Sequence, residues 1–147
     1  MCDNISEISK TAESVAKPTV DPTSLSPVAL AFMGDAVYES LVRDYLITNL
    51  RIPTAKLHGA CVGFVKASAQ ADAVRKMTPF LTDEEQTIFR RGRNANTTHV
   101  PKNAAPADYR YATGFEALFG YLHLCGREER IKALFDLIVQ TRVAAGA

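Results

Sequence analysis

From Leu25 onward apolar residues recur three or four positions apart, and nowhere do they alternate usefully at the two-residue period of a half-buried strand. No Asn-Gly or Asp-Gly pair is present to turn a hairpin. The chain must therefore build its core from helices, and the expected class is all-α. Ser26 followed by Pro27 opens the first helix, since the serine oxygen can accept an orphan N–H and proline suits the first turn. The spacing predicts that this helix runs to about Leu50. Pro53 and Thr54 punctuate the chain, and Leu57, Cys61, Phe64, Val65, Ala69 and Ala73 mark a second long helix over Ala55 to Lys76. Thr82 with Glu85 three residues later is a capping-box pattern, opening a short third helix that stops around Gly92. Arg93 to Pro106, rich in Asn, Thr and Pro, is expected to be a loop. Pro106 and Asp108 begin a helix through Tyr111, Phe115, Leu118, Phe119 and Leu122, which Gly126 can end with a positive φ. A last helix covers Glu128 to about Val143.

At 147 residues with 47% hydrophobic content, the chain has apolar material for one core of ordinary size and too little length for two comfortable domains. Residues 1–24 are polar and turn-rich, so a mobile tail is expected ahead of one folded domain over 25–147. Three cysteines, Cys2, Cys61 and Cys125, without CxxC spacing argue against a disulfide framework or a zinc knuckle and fit a reducing compartment. The N-terminus has no apolar core of a secretory signal, and no apolar run approaches a membrane span. A cytoplasmic protein without membrane contact is expected.

Two acids stand where the pattern calls for apolar residues. Asp35 is the only charge in the first half of its helix, and its helical face holds Ala31, Tyr38 and Val42. A carboxylate in such a setting costs several kcal/mol, order of magnitude, unless a cation or donors compensate it. Glu116 is the only acid between Asp108 and Glu128, with Ala112, Thr113, Phe119 and His123 on its face. Each acid could instead be solvated at a helix edge or paired with an arginine. If the two helices pack, both reach one site, where a hard divalent ion such as Mg²⁺, or Mn²⁺ in its place, suits oxygen ligands and a bound phosphate. That arrangement is a phosphodiester-hydrolysing metal centre.

Leu30-Ala31-Phe32-Met33-Gly34-Asp35-Ala36-Val37 resembles the signature helix of the ribonuclease III family, usually Leu-Glu-Phe-Leu-Gly-Asp, and Tyr111 to Leu122 resembles the family's second acidic helix. The resemblance covers roughly Leu25 to Val143. It implies a helical endonuclease domain that cuts double-stranded RNA as a homodimer, each subunit cutting one strand. The signature glutamate is replaced by Ala31, and the acid three residues before Glu116 by Thr113, leaving two carboxylates where a standard member collects four. Together with Arg91-Gly92-Arg93-Asn94-Ala95 and the absence of a double-stranded-RNA-binding domain, this resembles the Mini-ribonuclease III branch. The branch implies Asp35 and Glu116 as catalytic residues and metal ligands, and maturation of large-subunit ribosomal RNA precursor. Phe32 falls at the family position that inserts into the partner subunit and is the candidate dimer anchor; an ordinary core phenylalanine is the other possibility.

With 17 Lys+Arg against 16 Asp+Glu, overall charge decides nothing, and an RNA surface must come from local clustering. Between Gln86 and Ala107 there is no acid, while Arg90, Arg91, Arg93 and Lys102 fall there, joined by Asn94 and by His99 below neutral pH. Such a segment offers donors to the phosphates and 2′-hydroxyls of A-form RNA. A solvated loop with surface arginines is the plainer alternative. His123 shares the helical face of Glu116 and is either its hydrogen-bonding neighbour or a packed core residue. Against the nuclease stand a catalytically silent RNA-binding or ribosome-associated domain of the same fold, and a helical interaction module without RNA affinity.

Overall fold

The computed structural model describes residues 19–95, 102 and 105–146. They form six α-helices: α1 (Pro27–Thr48), α2 (Leu57–Val65), α3 (Ala67–Met77), α4 (Asp83–Arg93), α5 (Pro106–Leu124) and α6 (Glu128–Ala144), with no strand among the described residues. The all-α expectation is met. Helix α5 is the axis of the fold: α1, α3, α4 and α6 all pack on it, and ten of its residues are buried. None of the helices is long and apolar enough to cross a membrane, among the described residues.

The caps read from the sequence are in place. Ser26 accepts from the amide of Ala29 at 3.1 Å with Pro27 following, and Thr82 and Glu85 exchange side-chain and backbone bonds in a capping box. Helix α5 ends in a Schellman turn: Gly126 has φ +71°, its amide donates to His123 O, and the Arg127 amide reaches back to Leu122 O. Glycine fits there because the left-handed region carries no Cβ penalty for it.

One expected helix is two. The stretch 55–76 opens with a 3-10 turn (Thr54–Lys56) and breaks at Lys66, whose ψ of 152° is extended. No proline or glycine marks the break. Its cause is tertiary: α2 packs on α1 through Cys61 and Phe64, whereas α3 turns Gln70, Ala71, Val74 and Met77 toward α5, and one straight helix cannot reach both partners. The expected tail falls mostly outside the described residues, but its last turn, Pro22–Ser24, is a 3-10 helix capped by Asp21. The Arg91 guanidinium donates to the carbonyls of Thr23 and Leu25 at 3.4 and 3.1 Å, fastening this turn to α4.

The crossing of α1 over α5 is backbone on backbone. Gly34 rests on the carbonyl of Glu116 and Gly120 rests on that of Leu30, so a Cβ at either position would overlap main-chain atoms. Beside this contact Tyr38 inserts edge-on against Phe115, ring centroids 4.7 Å apart, and touches Phe119 and Phe135. Aromatic packing thus fills the space beyond the point where the two helices come closest.

Candidate active site

The glycine crossing sets Asp35, next to Gly34, beside Glu116, whose own carbonyl Gly34 touches. Both acids line one cleft of about 370 Å³ between α1, α3 and α5. Ala31 and Thr113, the two places where the resemblance predicts further carboxylates, line the same cleft. The four positions therefore converge, with acids at two. The Thr113 hydroxyl donates back to the carbonyl of Tyr109 at 3.0 Å.

The two acids sit at different depths. Ala31, Tyr38 and Val42 turn into the core, but Asp35 is rotated away from them toward the side of exposed Val28 and Phe32, and is itself exposed. The expectation of an apolar burial for Asp35 is corrected accordingly: it stands at the rim. The cleft wall still strips enough water from its carboxyl to raise its pKa, and the charge of Glu39 adds to this. Glu116 lies deeper. Burial first, and the charge of Asp35 second, push it up to about 7.

Among the described residues, neither acid makes an ion pair. The contrast with Glu85 is direct. That side chain is fully buried, which by itself raises a carboxyl's pKa, but Arg130 donates to it at 2.9 and 2.8 Å and the Thr82 amide adds a third bond, so the balance falls below the usual range. A structural acid in this fold has its cation; Glu116 has none. No cluster of three His, Cys, Asp or Glu gathers anywhere among the described residues, so a cation here would meet two carboxylates, with neutral oxygens and water for the rest. That donor set fits a hard, water-retaining divalent ion.

Phe32, 83% exposed, stands at the cleft's edge with half-exposed Val28 one turn before it. It is not a core residue of the isolated chain. The basic residues are elsewhere, for none of Arg90, Arg91, Arg93, Asn94 or Lys102 lines the cleft. Arg90, Asn94 and Lys102 are exposed, whereas half-buried Arg93 lies 5.7 Å from the Phe89 ring and bonds Asn94. Arg91 is committed to Thr23 and Leu25, and His99 lies outside the described residues. His123 is exposed, with Nδ1 3.3 Å from Glu128, and does not line the cleft with Glu116. Sequence reasoning missed Gln70 and Tyr109, both of which line the cleft. Gln70 was open to detection as a polar residue on the 70-71-74-77 stripe that buries α3.

Residues 28–127 match the model of the Ribonuclease III domain, well over half the chain. The chain belongs to the ribonuclease III family. Within that family it is 48% identical over 117 residues to a Mini-ribonuclease 3 of Thermoanaerobacter, covering 80% of this chain and 82% of the relative. It is 45% identical over 116 residues to the Mini-ribonuclease 3 of Symbiobacterium thermophilum, covering 79% and 89%. A crystal structure of a Fusobacterium nucleatum protein superposes with a TM-score of 0.73 at 28% identity, over 81% of this chain and 95% of that one. The family match thus runs from the first turn of α1 to the turn that follows α5, and these Mini-ribonuclease 3 relatives are similar over about four-fifths of the chain.

Proposed function

We propose that the protein is a Mg²⁺-dependent endoribonuclease that cleaves double-stranded RNA as a homodimer, with large-subunit ribosomal RNA precursor as its natural substrate. The observation that carries this reading is the convergence of Asp35 and a half-buried Glu116, without an ion-pair partner among the described residues, in one cleft of a ribonuclease III fold. The ribosomal precursor comes from the resemblance to the Mini-ribonuclease III branch, not from a residue in the cleft. When bound, a divalent ion supplies Lewis-acid stabilisation of the charge that develops on the phosphate and lowers the pKa of water nearby. Glu116 fixes one side of that position from within the cleft and Asp35 closes it from the rim. The two carboxylates repel each other, and a divalent ion held by both would relieve the repulsion that raises Glu116. Arg90, Arg93, Asn94 and Lys102 supply donors to RNA phosphates outside the cleft, so binding should weaken steeply with salt, each neutralised phosphate adding roughly one unit to the log–log slope.

The test is cleavage of a short RNA duplex in Mg²⁺. Asp35→Asn should lower the rate at least about a thousandfold, the kinetic equivalent of several kcal/mol of lost charge stabilisation, while leaving the helical content unchanged. Undiminished cutting by that variant would remove Asp35 from the site.

Phe32 carries the dimer. A phenylalanine 83% exposed next to Val28 is an apolar patch that water disfavours and a second copy can cover. Phe32→Glu should weaken self-association at least about thirtyfold, since an aromatic anchor typically contributes more than ~2 kcal/mol. Sedimentation over a concentration series reads this directly. A variant that remains as dimeric as the parent would place the interface on another face.

A further inference from the structure

Gln70 is 1% exposed on α3, and neither its amide nitrogen nor its carbonyl oxygen has a hydrogen-bond partner among the described residues. Both ends of the group are thus shut off from water and left unpaired, which destabilises a protein unless something repays it. The residues around it on the helix, Ala71, Val74 and Met77, are apolar, so nothing in the packing calls for an amide. Its surroundings on the other side are the acid cleft, which it lines with Asp35 and Glu116. The amide is near enough to the Glu116 carboxyl to favour the ionised form, though not in the geometry of a formed hydrogen bond. Of the two positions that lack the family's carboxylates, Ala31 has no polar atom to offer and the Thr113 hydroxyl is turned back onto Tyr109. An incoming ion with two carboxylates therefore still lacks acceptors for the waters it keeps.

We propose that Gln70 is a positioning residue of the cation site: on ion binding its side chain turns within the cleft it lines, so that its amide N–H group holds the Glu116 carboxylate and its carbonyl oxygen accepts from a water in the ion's hydration shell. This rests on the metal-dependent reading given above. Such an outer contact orients a ligand and its water without touching the ion, and its loss typically costs about 10–100-fold in metal affinity or activity. The unpaired amide is then the consequence of a group placed for an ion rather than for the core.

The experiment measures Mn²⁺ binding to the full chain without RNA, by the electron-spin signal of the free ion, alongside melting in EDTA and steady-state cleavage of an RNA duplex. Gln70→Leu and Gln70→Met, both close in volume, should weaken Mn²⁺ binding about tenfold or more and lower kcat to match, with KM for the duplex within about twofold of the parent. Both should melt a few degrees higher than the parent in EDTA, since an unsatisfied buried group has gone. Gln70→Glu, which adds a charge beside the ion, should bind Mn²⁺ more tightly. A merely structural glutamine gives the opposite pair, a lower melting temperature and unchanged Mn²⁺ binding, and that result overturns the proposal, as does failure of both apolar variants to fold. If the parent binds Mn²⁺ and cuts while the apolar variants do so equally, the role of Gln70 falls alone. If the parent neither binds Mn²⁺ nor cuts, the metal-dependent reading falls first and Gln70 with it.

Discussion

Glu116→Gln should abolish cleavage of duplex RNA and, in the same protein, raise the melting temperature of the cation-free form at pH 8. The two effects have one origin. Without a cation, burial and the neighbouring Asp35 push Glu116 from 4.5 up to about 7, so the folded chain holds this proton more tightly than the unfolded one. The stability that follows is fully present below about pH 4.5 and is lost as pH rises through about 7. At about 1.4 kcal/mol for each tenfold difference in proton affinity, the loss across that window is on the order of 3 kcal/mol. The amide variant has no proton to lose. Its cation-free melting temperature should be flat from pH 5 to pH 8, while that of the parent falls by several degrees. Adding Mg²⁺ should raise the parent at pH 8 and leave the variant unmoved. Glu85→Gln is the matched control: it strands Arg130 and should destabilise by about 3 kcal/mol at either pH. Calorimetry across the pH range with and without EDTA reads all of these, and a Glu116→Gln protein that melts lower than the parent at pH 8 would contradict an uncompensated charge at that position.

The second large effect lies in the main chain. Gly34→Ala adds one carbon, yet that carbon would fall within the peptide group of Glu116, where no side chain can swing aside. Relief requires α1 and α5 to separate, and α5 is the helix on which α1, α3, α4 and α6 pack. Overpacking that a flexible neighbour can absorb costs about 1–3 kcal/mol; here the obstacle is backbone, and more than ~4 kcal/mol is expected, a large part of the stability of a domain this size. Gly120→Ala should do the same against Leu30. By contrast Gly59→Ala and Gly63→Ala, where an added carbon meets nothing within 4 Å, should be harmless or mildly stabilising through helix propensity. Urea titration of the four variants separates them. Parent-like midpoints for the alanines at positions 34 and 120 would mean that the helices cross less closely than described.

What the sequence disclosed was local chemistry, and what it concealed was direction. Caps, stops and helical stretches follow from residues that act on their neighbours: Ser26 and Thr82 accept amide bonds a turn away, and Gly126 takes the φ that ends α5. The acids were visible because charge on an apolar helix is anomalous wherever that helix lies. Their meeting depends on two glycines that look unremarkable in the sequence and become decisive only where two helices touch. The break at Lys66 left no local mark because it is imposed by two packing partners at an angle. The exposure of Asp35 was one of two alternatives left open, because four residues of helix rotation, small in a periodicity argument, separate the core from the rim. His123 shares a face with Glu116 on paper, but two turns of rise carry it to the end of α5 and to Glu128.

Alanine and threonine at the other two corners of the cleft also change what an approaching polyanion meets. If a divalent ion binds there as proposed, two carboxylates would neutralise it, whereas four around the same ion would leave the centre anionic and repel an incoming phosphodiester. The same thinning of ligands loosens the grip on the ion. Occupancy should therefore track the cellular concentration of free divalent ion, and substrate and ion should strengthen each other's binding, the RNA phosphate completing a shell that the protein leaves open.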